Sequence, residues 1–132
     1  MRGLCLILFL LFQSFVCTAE QAWVLVGHID EGLKLEREDI TNIYLKKAGA
    51  RRYGVKVYDH KSIDLRTSFY EEYLRLSMVE LRAYWAKQVF TGGGRPPSSM
   101  NTNELIERLN AERNAIGYLP ADQAGELPII LR

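Results

Sequence analysis

Four residues within one short stretch carry the best-placed polar chemistry of this chain: Ser62, Arg66, Thr67 and Ser68. Arginine presents a planar fork of N–H donors that matches an oxyanion, and the three hydroxyls beside it would complete half of an anion site. A plainer reading stands next to it, in which Asp64 or Ser62 caps a helix and Arg66 is a solvated surface residue. A second candidate is Thr91-Gly92-Gly93-Gly94-Arg95, where glycines let backbone N–H groups approach an anion. It lacks the spacing and the Lys-Ser/Thr pair of a nucleotide-binding loop. A helix C-cap leading into a connector that ends at Pro96-Pro97 accounts for it.

Other chemistries have less to stand on. His28 and His60 are the only histidines, and no His/Cys/carboxylate cluster of diagnostic spacing accompanies them, so no metal is expected. There is no Gly-x-Ser-x-Gly, and no serine is tied by spacing to a histidine and an aspartate. The chain is read as a non-enzyme without a cofactor. Tyr84 and Trp85 share helical spacing with Leu81 and Val89, which reads as core rather than as a stacking platform. Glu36–Asp39 and Glu71-Glu72 read as solvated helix faces.

The elements that must position these residues follow from periodicity. Trp23–Ile29 is a continuous apolar run, read as a strand buried on both faces. Glu36–Lys47 places Ile40, Ile43 and Tyr44 at helical spacing, with acids first and lysines last, and Gly49 as terminator. Val55–Tyr58 alternates as a second strand. A helix from Leu65 to Leu76, with Asp64 as its cap, would bury Leu65, Phe69, Tyr73 and Leu74. Ser77-Met78-Val79-Glu80 is a capping box that opens a third helix carrying Leu81, Tyr84, Trp85 and Val89 on one face. A fourth helix follows Asn101-Thr102 with Leu105, Ile106 and Leu109. Strands at Ala115–Leu119 and Ile129–Leu131 close an α/β order, β-α-β-α-α-α-β-β.

The first residues read differently. Arg2, the apolar run Leu4–Phe12 and the small residues of Cys17-Thr18-Ala19 form a signal peptide pattern over 1–19, with cleavage before Glu20. Both cysteines, Cys5 and Cys17, lie inside it, so the mature domain (20–132) would hold no disulfide, thiolate metal site or thiol nucleophile. Arg2 is the only charged residue before Glu20, so its removal takes 17 basic residues to 16 against 16 acidic ones. A balance near zero gives no electrostatic case for nucleic acid.

Taken in order, Ile43-Tyr44-Leu45-Lys46-Lys47, the pair Arg66 and Phe69, then Leu81, Tyr84, Trp85, Phe90, Thr91, Gly92, Gly94, Pro97 and Ala115-Ile116-Gly117-Tyr118 form a frame over roughly Trp23 to Leu131. This frame resembles the small, single-lobe members of the periplasmic phosphate-binding-protein-like family, substrate-binding components of phosphate ABC transporters. The resemblance implies a single lobe of a periplasmic-binding-protein-like fold, a small sheet flanked by about four helices. It further implies export to the periplasm and recognition of phosphate or a related oxyanion through the turn at Ser62, Arg66, Thr67 and Ser68. A membrane permease or another envelope protein would be the partner, with a homo-oligomer as a further possibility. The turn departs from the family pattern: Ser62 stands one place early relative to Phe69, Ile63 and Leu65 occupy hydroxyl positions, and Asp64 adds a negative charge. The competing expectation is an envelope interaction or sensor module of the same fold that has lost anion binding.

Overall fold

A computed structural model describes residues 22–131. The signal peptide expected over 1–19 lies outside them. The elements run β1 (Trp23–His28), α1 (Arg37–Tyr44), a 3-10 segment (Ala48–Tyr53), β2 (Lys56–His60), α2 (Ile63–Ser68) continuing as a π-helical turn (Phe69–Tyr73), α3 (Met78–Phe90), β3 (Ser98–Met100), α4 (Thr102–Ala111), β4 (Ala115–Pro120) and β5 (Ile129–Leu131). The five strands form one mixed sheet in the order β3-β2-β4-β1-β5. β2 runs parallel to both β3 and β4, whereas β1 is antiparallel to β4 and β5.

Helices cover both faces, which is why β1 and β4 read as unbroken apolar runs. Trp23 and Leu25 of β1 and Ile116 and Tyr118 of β4 face α1, α2 and α3. The alternate residues, Val24, Val26, Ala115 and Leu119, meet Leu105 and Leu109 of α4. An aromatic cluster fills the first face: Phe69 stacks on Tyr118 with centroids 4.1 Å apart and takes the edge of Trp23 at 5.0 Å. The fold is therefore α/β, with four α-helices among the described residues.

Several boundaries differ from the sequence expectation. α1 ends at Tyr44, before Gly49, because Lys46 takes a left-handed φ of 51° and breaks the helix there. β2 runs on to His60, past Tyr58. The cap of α2 is Ser62, whose hydroxyl accepts from Leu65 N, and Asp64 is instead the second residue of the helix, within its first turn. Leu65, Phe69, Tyr73 and Leu74 are buried as expected, but the π-turn adds Tyr70 to them. Val89, expected on the buried face of α3, is 54% exposed while Leu81 and Trp85 are buried. The short strand β3 and the 3-10 segment had no counterpart in the sequence reading.

Candidate functional site

Parallel strands β2 and β3 end side by side, with His60 level with Met100, and Lys61 N donates to Met100 O at 2.9 Å. Each strand feeds a helix, and the two helices leave toward opposite faces of the sheet. Ser62 caps α2 on one side, and on the other Asn101 caps α4 in a reciprocal box with Glu104. The divergence lies at the carboxyl ends of the strands, the place where α/β sheets bind ligands, and the space between the two helix starts is called the crevice below. Helix geometry leaves the first-turn N–H groups of both helices without intrahelical partners, and they carry partial positive charge.

His60 joins the two helix starts. Its Nδ1 accepts from Ser62 N at 3.0 Å, so the proton sits on Nε2, 2.9 Å from Thr102 Oγ1, to which it donates. The residue is buried, and that burial lowers its pKa and holds the ring neutral. Lys61 pairs with Glu104 at 3.3 Å across the mouth. Both side chains are exposed there, so the pair is a weak tie.

Beneath the crevice lies Asp59, only 3% exposed. Tyr70 donates its hydroxyl to Oδ1 at 2.9 Å and reaches Oδ2 at 3.1 Å, and Tyr118 donates to Oδ1 at 2.9 Å. Desolvation pushes the Asp59 pKa up to about 6, against the two tyrosine hydrogen bonds and the charges of Arg66 and Lys46, which lower it. The same burial, with the carboxylate close by, raises Tyr70 and Tyr118 far above their ordinary range, so both stay protonated donors.

The residues singled out from the sequence fall around this site unevenly. Ser62 lies at the mouth as the helix cap. Arg66 comes one turn later on the same side, within the field of Asp59, and its buried Nε has no partner in the protein. At about 100° per residue, Thr67 and Ser68 are turned about 100° and 200° away from Arg66, onto the flanks of α2. The Ser68 hydroxyl is buried and without a partner there. The helix thus brings Ser62 and Arg66 together and sets Thr67 and Ser68 apart from them. Asp59, His60, Tyr70, Tyr118 and Thr102 were not among the sequence candidates. The alternation of Val55, Val57 and Asp59 was the available signal, since it puts the carboxylate on the inward side of β2.

Among the described residues, no group of three or more His, Cys, Asp or Glu side chains converges as a metal site. No helix among them is long and apolar enough to cross a membrane. Comparison with known proteins gives no match: no family model, no curated protein and no solved structure proves similar to the chain.

Proposed function

We propose that the chain is an oxyanion-binding domain of the exported, single-lobe solute-binding kind, with phosphate as its first ligand, working in the periplasm with an ABC transport permease. The observation that carries this reading is the orphaned, buried Nε of Arg66 one turn inside α2, beside a crevice onto which two capped helix starts open. An arginine nitrogen that is buried without an acceptor is costly, and an oxyanion seated between the helix starts would supply one. Asp64 and Glu104 add carboxylates at the same rim. They repel a fully ionised anion but accept a hydrogen bond from a protonated one, which favours hydrogen phosphate over sulfate.

Isothermal titration of phosphate-stripped chain with phosphate, and with sulfate as control, tests this. Saturable heat with phosphate alone, weakened roughly tenfold in Arg66→Ala, is the expected result; one lost charge-assisted contact accounts for that factor. Equal affinity in the Arg66→Ala protein would remove the site.

A second reading is an envelope interaction module, and one observation favours it. α3 carries Val79, Val89 and Phe90 at 68%, 54% and 93% exposure. An open, one-lobed crevice leaves its anion in water, where ion pairs contribute only about 0–1 kcal/mol. A partner or a second copy seated on α3 would bury these apolar side chains.

A further inference from the structure

A second concentration of donors lies away from the crevice, in a cleft of about 260 Å³ between the exit of α1 and the glycine turn after α3. Lys46, Lys47 and Arg51 line one wall, and Arg95 the other, beside Gly93 and Gly94. Tyr84 of α3 donates to Leu45 O at 2.6 Å, which fixes the two walls relative to each other. No aspartate or glutamate lines this cleft. The ion pairs found among the described residues, Lys56–Glu112, Lys61–Glu104 and Arg108–Glu112, involve none of its cations.

Part of this charge has an ordinary origin, since lysines suit the negative end of α1. That does not account for Arg95, which the turn after α3 delivers to the same space. At Gly94 the backbone takes φ +135° and nothing stands within 4 Å of where a Cβ would be, so main chain is open to a ligand as well. Four cations lining one cleft, with only the buried Asp59 carboxylate acting on Lys46 from outside it, repel one another, in a chain whose formal net charge is only +1. A single negative charge would leave most of that repulsion in place. Two linked phosphate groups would balance it, and both arginine forks and lysine ammonium groups bind phosphate oxygens.

We propose that this cleft binds a phosphate polyanion, of which inorganic pyrophosphate is the smallest form. The inference is independent of the oxyanion reading of the crevice, because the residues it tests, Lys47, Arg51 and Arg95, play no part there and its ligand carries a higher charge. The test titrates the full chain with pyrophosphate, alongside the double variant Lys47→Ala/Arg95→Ala and, separately, Arg51→Gln. Lys47 and Arg95 are exposed, so the variants should fold, and circular dichroism checks that. Pyrophosphate affinity is expected to fall at least roughly tenfold in the double variant. Orthophosphate binding stays as in the parent, and Arg66→Ala shows the reverse pattern. Unchanged pyrophosphate affinity in both variants, or a flat titration of the folded parent, would overturn the proposal. Vesicles rich in anionic lipid form the last arm: binding to them without binding to pyrophosphate would reject the small-ligand assignment in favour of a lipid phosphate surface.

Discussion

The Tyr118 hydroxyl donates to the buried Asp59 carboxylate at 2.9 Å while its oxygen accepts from His60 N at 3.2 Å. One phenol thus ties the carboxylate beneath the crevice to the β2 backbone that leads into α2. The behaviour of this contact with pH, and with the loss of either partner, follows from the burial of the carboxylate.

Asp59 is the main acid-range titrating group of the interior. Its folded pKa of about 6 lies above the ordinary 3.8, so the native state holds the proton more tightly than the unfolded chain. Stability then declines as pH rises from the unfolded value through the folded one, by about 3 kcal/mol in all, and is level above it. His60 acts with the opposite sign, because its depressed pKa makes acid oppose folding. Urea unfolding of the parent and of Asp59→Asn across this range separates the two. The difference between the proteins is expected to shift in favour of Asn as pH rises; a pH-independent difference would contradict an elevated pKa.

Tyr118→Phe removes a donor to the carboxylate and leaves the His60 N–H without its acceptor. A loss of about 2–3 kcal/mol is expected, as for a hydrogen bond to a charged buried group. It should be larger above the Asp59 pKa than below it, since the neutral acid relies on the donor less. Denaturation midpoints at two pH values would read this directly, and a larger loss on the acid side would speak against it.

Gly27→Ala should prevent normal folding. The residue has φ +150°, and a Cβ there would stand 2.1 Å from the backbone oxygen of Ala115 on the neighbouring strand. Backbone cannot yield as a side chain does, so a cost of about 4 kcal/mol or more is expected. Soluble yield and thermal unfolding give the answer.

Gly117→Ala presents a softer clash, because the new Cβ meets Leu105 side-chain carbons at 3.0 and 3.1 Å. Overpacking there is expected to cost about 1–3 kcal/mol. Leu105→Ala, fully buried in α4, should cost about 2–5 kcal/mol through the cavity it leaves. The double variant should lose less than the sum, since the added methyl enters the emptied space. Strict additivity in a double-mutant cycle would show that the two positions do not share that volume.

How much of this was legible beforehand depends on how each feature is encoded. The capping box at Ser77 and Glu80, the Leu105/Leu109 stripe and the limits of β5 are local patterns, and they were readable from spacing alone. β3 is three polar-to-neutral residues after two prolines, held by pairing with β2, so no apolar period announces it. The early end of α1 rests on a left-handed lysine, a conformation that sequence assigns to glycine first. Val89 was misplaced because α3 turns past its buried face: two turns after Leu81 the stripe has drifted by about 80°. For the site, Ser62 and Arg66 were found through their types. Asp59 was passed over, since a carboxylate directly after the expected end of the strand at Tyr58 looks like a solvated exit until Tyr70 and Tyr118 are seen to enclose it.

The position of β4 has a consequence for how the chain is made. It lies at the centre of the sheet between β1 and β2, yet it is almost the last element in sequence. As the chain emerges from its amino end, β1 and β2 have no partner to bridge them until residues 115–120 appear. The sheet closes late, through contacts between distant parts of the sequence, which is the slow kind of folding. A chain of this topology cannot complete either layer of its core until residues 115–120 have been made, however early its helices form.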